Sequence, residues 1–230
     1  MSEAGSLRRP GPEPGPGPEP GPGPGLGPGP GLGPGPGAAR GAILRAAASM
    51  ATVDGVDELS VARLAAALGM KKGDVARYFG SRLELQLATV EEAARVFTEE
   101  VVRPALAAAP GRPQLIAVCE ACVAHLERRT IPGGCFMAGA TLGMSTRPGP
   151  VGELIARSQA QFGDLLRGFA STAVDRHELA PGEDPGRLAF ELNGIMLATD
   201  TNYTLHDDPA VLDLARQIVH ERLAPAAQDG

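Results

Sequence analysis

The chain has 230 residues, with 21 basic and 27 acidic side chains for a formal net charge of −6, three cysteines and no tryptophan. That acidic balance argues against a protein coated in nucleic acid, and no apolar run approaches the roughly 18 residues of a membrane span. No apolar signal segment accompanies Arg8 and Arg9, so the odd set of cysteines reads as reduced thiols in a cytoplasm and not as a disulfide framework.

From Pro10 to Gly37 the sequence is little more than alternating Gly and Pro, broken by Glu13, Glu19, Leu26 and Leu32. Proline contributes no N–H and glycine has the most backbone entropy to lose, so residues 1–37 are expected to form an unfolded tail. Glycine at every second position does not fit a collagen triple helix, which needs it at every third. Half the positions also lack the N–H groups that a phosphate-cradling loop uses. The remainder, Ala38 to Gly230, is long enough for one or two domains with a core.

Beyond residue 38 apolar residues recur at helical spacing, and an all-α fold of about nine helices is expected. The first runs from Arg40 to Ala51 with Ile43, Leu44, Ala47 and Met50 on one side. Thr52–Leu59, containing Asp54-Gly55, reads as a turn. Ser60 suits the N-cap of a second helix that places Val61, Leu64, Ala65 and Leu68 on one face, and Gly69 stops it. A third helix spans Lys72–Phe79. Gly80-Ser81 ends it, and Ser81 caps a long fourth helix carrying Leu85, Val90, Ala94 and Phe97 toward Pro104.

After the loop Pro110–Pro113, a fifth helix covers Gln114–Arg129, basic at its C-terminus, where cations favour the helix dipole. Pro132-Gly133-Gly134 breaks the chain, a sixth helix follows over Cys135–Met144, and Thr146–Gly149 breaks it again before a seventh over Val151–His177. Two last helices, Pro185–Tyr203 and Pro209–Leu223, are joined by Leu205–Asp208. Their apolar residues Leu188, Leu192, Ile195, Met196, Val211, Leu214, Ala215, Ile218 and Val219 suit a dimer seam or the monomer's own core.

Basic charge is concentrated toward one end. Between Ala38 and Val90 stand Arg40, Arg45, Arg63, Lys71, Lys72, Arg77 and Arg82 against Asp54, Asp57, Glu58, Asp74 and Glu84, a local net of +2 in an otherwise acidic chain. Two short helices around Gly69 are the geometry that presents one helix to a DNA major groove, here Lys72–Phe79 with Val61–Leu68 crossing behind. This block resembles the TetR (tetracycline repressor) family. Ile43-Leu44 with Ala46-Ala47, Ser60-Val61, Leu64-Ala65, Gly69-Met70, Lys72-Gly73, Tyr78-Phe79, and Arg82 three before Leu85 follow its pattern over about 45 residues. Downstream, Pro132-Gly133-Gly134-Cys135-Phe136 and Arg147-Pro148-Gly149-Pro150-Val151 are similar to one C-terminal branch of that family.

The resemblance implies a helix-turn-helix DNA-binding head over residues 38–82 and a ligand-binding and dimerisation body over 83–225. It implies a transcriptional repressor, a homodimer through the two C-terminal helices, that reads a pseudo-palindromic operator in double-stranded DNA. A small-molecule effector would release it. By that alignment Arg77 would reach base edges, since a guanidinium can bind guanine O6 and N7 bidentately. Lys71, Lys72, Tyr78 and Arg82 would meet phosphates, Gly73 belongs to the Lys-Gly motif, and Arg40 and Ser60 are further phosphate candidates at helix starts. Three residues depart from the pattern: Lys71 where Ser or Thr often caps, Asp74 where a small hydroxylic residue is usual, and Ala76 where Tyr is frequent. Asp74 would oppose DNA phosphates unless it turns aside or pairs with Lys71 or Arg77, and it could accept a hydrogen bond from cytosine N4. These departures leave open a ligand-binding protein with degenerate DNA recognition.

Cys119, Cys122 and His125 fall at i, i+3 and i+6 on one helical stripe. With Cys135 they could be read as a metal or thiol redox site, but buried thiols more often simply pack. The expectation is pocket or core lining with no metal and no cofactor, a thiol redox sensor standing as an alternative. Cys122, His125, Phe136, Met137, Met144, Phe162 and Met196 are the candidate lining residues of a modest cavity for a small apolar effector. His177, His206 and His220 have no motif-placed nucleophile, so no enzyme is expected.

Overall fold

The computed structural model describes residues 36–131, 133–144 and 149–225, with side chains for all of these except 36 and 141–144. The expected Gly/Pro tail lies outside the described residues, apart from positions 36 and 37. Among the described residues there are nine helices and no strand. They are α1 (Pro36–Asp54), α2 (Val61–Ala67), α3 (Lys72–Ala76), α4, α5 (Arg112–Arg128), α6 (Phe136–Met144), α7 (Pro150–Asp175), α8 (Pro185–His206) and α9 (Ala210–Arg222). Helix α4 begins as Arg82–Phe97, passes through a π-helical turn at Thr98–Val102 and continues as Arg103–Ala107.

Local chemistry sets most helix ends. Ser60 accepts the Arg63 N–H at 3.2 Å and Ser81 accepts the Glu84 N–H at 3.0 Å, each satisfying one of the orphan donors of a first turn. Gly69 ends α2 at φ 64°, letting the Met70 N–H return to Ala65 O at 2.9 Å. The π turn traces to Pro104. Its ring and missing N–H forbid the regular bond pattern there, and the Arg103 N–H reaches Thr98 O, five residues back.

Three elements differ from the sequence expectation. Helix α1 starts at Pro36 and runs through Thr52, whose hydroxyl donates to Ala48 O at 2.8 Å, so the expected turn shrinks to Gly55–Leu59 around a 3-10 turn at Val56–Glu58. Helix α3 stops at Ala76 and not at Phe79. The Tyr78 N–H bonds only three residues back, to Val75 O at 3.0 Å, while Phe79 is drawn into the core. Helix α4 does not end near Pro104, because the π turn absorbs the proline.

One continuous core joins Ile43, Leu44 and Ala47 of α1 to Leu64 of α2, Val75 and Phe79 around α3, and Leu85 of α4. The same core extends through Leu115, Leu166 and Leu188 of the later helices. Burial of this apolar surface, not intrinsic propensity, is what holds helices as short as α2 and α3 in place. No described helix is long and apolar enough to cross a membrane.

Candidate functional site

Helix α3 is anchored from beneath by Val75 and Phe79, both buried, so Lys72, Gly73, Ala76 and Arg77 form its exposed outer face. Lys71 and Lys72 are exposed, and neither ammonium pairs with a carboxylate among the described residues. Arg77 pairs with Asp74 at 2.9 Å, one of the two outcomes expected for that departure from the family pattern. A methyl group placed on Gly73 would meet nothing within 4 Å, so no internal packing demands glycine there. Tyr78 is half-buried beside Phe79, with ring centroids 6.4 Å apart.

The remaining candidates have intramolecular roles as well. The Arg40 guanidinium lies 5.4 Å over the Phe79 ring, and Ser60 is occupied as the α2 cap. Arg82 donates to Asp57 O, and the buried Gln86 donates to Val56 O at 3.0 Å. These two bonds clamp the start of α4 to the turn between α1 and α2. Arg63, although basic, is consumed by Asp54 at 2.8 Å and Glu58 at 3.1 Å.

A cavity of about 280 Å³ lies among α4, α5, α6, α7 and α8. Of the expected lining residues, Cys122, His125, Met137, Phe162 and Met196 border it. Phe136 does not: it is wholly buried in the surrounding core, because neighbours on a helix point roughly 100° apart and Met137, not Phe136, turns to the cavity. Met144 lies outside the described side chains. Phe97 and Phe162 form an edge-to-face pair at 5.2 Å in its wall, and Phe97 meets the His125 ring at 6.0 Å.

The cavity also has polar residues at its border. His125 Nδ1 lies 2.7 Å from Glu100 Oε2, in the π turn, and that carboxylate also accepts from Arg128 at 3.1 Å. Burial works against the charged form of Glu100, but the hydrogen bonds from His125 and Arg128 outweigh it and hold the carboxyl below its ordinary range. Asp200 of α8, only 8% exposed, also lines the cavity. Burial pushes its carboxyl up, against the Cys135 N–H that donates to Oδ1 at 2.9 Å and the nearby His125. Ser158, Gln159, Asn193 and Asp200 all border the cavity and were not among the sequence candidates. The spacing Leu188, Leu192, Met196, Asp200 was the available signal, since it puts the aspartate on the buried stripe of its helix.

The loop before α6 packs against head and body at once. A methyl group on Gly133 (φ 91°) would stand 3.1 Å from Thr52 Cγ2 and from Val53 Cγ2 at the end of α1. One on Gly134 (φ 95°) would fall 2.6 Å from Asp200 Oδ1. Only glycine allows both approaches with this backbone.

All three cysteines are free and buried. Burial pushes Cys119 up to about 12 and Cys135 up to about 11, and Cys122 well above the usual thiol value. Thiols so placed are protonated at neutral pH, the form that neither attacks a disulfide nor ligates a metal. Among the described residues no group of three or more His, Cys, Asp or Glu side chains could hold a metal ion.

On the two C-terminal helices the apolar residues divide. Leu188, Leu192, Met196, Ala215 and Val219 are buried in the chain's own core, the second of the two readings open for them. Phe190, 80% exposed, with Leu205, Leu214 and Ile218 faces outward instead.

A helix-turn-helix head clamped to a helical body that encloses a cavity defines a one-component DNA-binding regulator. Residues 43–89 match the family described as bacterial regulatory proteins, tetR family, and residues 111–219 match the tetracyclin repressor-like C-terminal domain. The chain belongs to the TetR family of transcriptional regulators. No curated protein matches it by sequence. Among solved structures it is similar to a TetR transcriptional regulator from Chloroflexus aurantiacus, at 21% identity and TM-score 0.73, over 80% of this chain and 93% of that one. It is also similar to AibR in complex with isovaleryl coenzyme A and operator DNA, at 22% identity and TM-score 0.65, over 81% of this chain and 99% of that one. A TetR-family regulator from Agrobacterium tumefaciens aligns at 15% identity and TM-score 0.71, over 81% and 98% of the two chains. At these identities the likeness is one of fold.

Proposed function

We propose that the protein is a homodimeric repressor whose α3 helices read a pseudo-palindromic operator and whose grip is released by a small molecule in the body cavity. The observation that carries this reading is the course of α4. Its first turns are tied to the head through Arg82 and Gln86, while Ala94, Phe97, Thr98 and Val102 further along border the cavity. A molecule that wedges the cavity open acts on the helix that positions the head. It shifts the population of DNA-competent dimers by no more than its preference for the released conformation.

Arg77 is assigned to base edges, and Lys71, Lys72, Tyr78 and Arg82 to phosphates, with Arg40 and Ser60 at the periphery. The backbone at Gly73 approaches DNA closely. The outward Phe190, Leu205, Leu214 and Ile218 form the dimer seam, pairing α8 and α9 with their copies about a two-fold axis. Two heads so related suit half-sites about 34–36 Å apart.

The test is selection of operators from random duplexes by the purified protein, repeated at two salt concentrations and with Arg77→Ala. An enriched palindrome that is lost in the variant and weakened by salt supports the proposal. A folded dimer that enriches no sequence sinks it, and makes the chain a ligand-binding protein with degenerate DNA recognition.

A further inference from the structure

The body cavity mixes two kinds of chemistry. Its lining joins aromatic and apolar residues, among them Phe97, Phe162 and Met196, to the Asp200 carboxylate. Asp200 is almost fully buried, and among the described residues its hydrogen bond comes from the Cys135 amide, a neutral donor. Among the described residues no lysine or arginine borders the cavity. The ionisable groups that do border it are Asp200, His125, Cys122 and Cys135. His125 is already engaged by Glu100 at 2.7 Å, and behind it Glu100 is held by Arg128.

A buried carboxylate without a cationic partner is costly to maintain, and a cation brought to it in a dry site is bound strongly. Ring faces such as those of Phe97 and Phe162 add attraction for the same sign of charge. An anionic ligand would find the Asp200 carboxylate and, among the described residues, no lysine or arginine here. We propose that the cavity selects organic ammonium compounds: a compact apolar body seated against Phe97 and Phe162, and a positively charged nitrogen paired with Asp200. The proposal rests on the reading of this cavity as the effector site.

Occupancy is measured by calorimetry on the full chain without DNA, using three molecules of one shape: 4-phenylbutylamine, 4-phenylbutanol and 4-phenylbutyrate. The amine should bind about tenfold or more tighter than the alcohol, the scale of a charge-assisted hydrogen bond, and the carboxylate weakest of all. Asp200→Asn keeps an oxygen acceptor for the Cys135 N–H, so the loop stays held. In that variant amine and alcohol should bind within about threefold of each other. Equal or tighter binding of the alcohol or the carboxylate to the unaltered chain overturns the proposal. So does failure of the amine to bind, or an amine preference that survives Asp200→Asn. The comparison on the unaltered chain decides the matter even if the variant fails to fold. Amine binding that leaves operator affinity unchanged would defeat release by an effector while leaving the ammonium selectivity intact.

Discussion

The Arg77 guanidinium lies 2.9 Å from Asp74 Oδ1, one turn earlier on the exposed face of α3. The pair is solvent-exposed, so it adds little to the stability of the head, but it sets the charge that the head offers to DNA. In the proposed complex Arg77 would have to exchange Asp74 for a base edge, while Asp74 would face the phosphates. Asp74→Ala should therefore leave the melting temperature nearly unchanged and strengthen binding to random duplexes several-fold at low salt. Arg77→Ala should cost about 1–3 kcal/mol of discrimination at one base pair of each half-site. Titrations of both variants against operator and scrambled duplex, at two salt concentrations, check both statements. A fall in operator affinity for Asp74→Ala, with relaxed choice at one cytosine, would instead make Asp74 a base reader.

Gly73 separates stability from recognition. A Cβ there has open space, and alanine gains up to about 0.5–1 kcal/mol over glycine in a helix. Gly73→Ala should melt no lower than the unaltered chain, yet bind operator about tenfold more weakly if the backbone approaches a phosphate. Calorimetric melting and a mobility-shift titration on one preparation give the two numbers. Undiminished operator affinity would mean that α3 stands further from DNA than proposed.

The buried Asp200 predicts a stability that depends on pH in a stated direction. Burial, which outweighs the Cys135 N–H and His125, raises its folded value above the ordinary 3.8. Its contribution is fully present below that ordinary value and is lost as pH rises through the raised one. Asp200→Asn cannot ionise, so in the absence of ligand it should melt a few degrees higher than the unaltered chain at pH 7, with the gap closing near pH 4. Melting curves across that window decide it. A variant that melts lower at pH 7 would show that the charged form is already satisfied in the empty cavity.

The outward apolar face of α8 and α9 gives a prediction about assembly. Phe190→Asp and Ile218→Asp place carboxylates at exposed positions, where they leave the chain's own core undisturbed. Each should yield a helical monomer by light scattering and circular dichroism. Loss of the paired heads should then weaken operator binding by about a hundredfold, because two linked half-site contacts gain that much over one. Dimers that survive both substitutions would place the seam elsewhere.

The order of helices and the head were legible because caps and periodicity agree there. Ser60 and Ser81 stand where first turns need acceptors, and the apolar stripe of α2 continues into Val75 and Phe79. The short α3 was harder to read, since Arg77 and Tyr78 are acceptable helix residues and only the pull of Phe79 into the core ends the helix early. The π turn leaves no trace in side-chain spacing beyond Pro104 itself. The polar border of the cavity was hidden by an ordinary prior, because an aspartate on a helix usually faces water. The stripe from Leu188 to Asp200 contradicted that prior, but only packing shows that its last member is enclosed. Helices α8 and α9 are apolar on two faces, so periodicity could not tell Leu192, turned to its own chain, from Phe190, turned outward.

The Gly133-Gly134 loop bears on how freely this protein can be recombined. Gly133 is fitted to the side chains of Thr52 and Val53 in the head, and Gly134 to the carboxylate of Asp200 in the body. A foreign head grafted at the start of α4 would carry its own residues into the places of Thr52 and Val53. Where those are bulkier, the loop is displaced and the Cys135 amide leaves Asp200 with it. Exchange of heads therefore needs three matched surfaces: the exposed outer side of α3, the clamp at Arg82, and the two-residue footprint beneath Gly133.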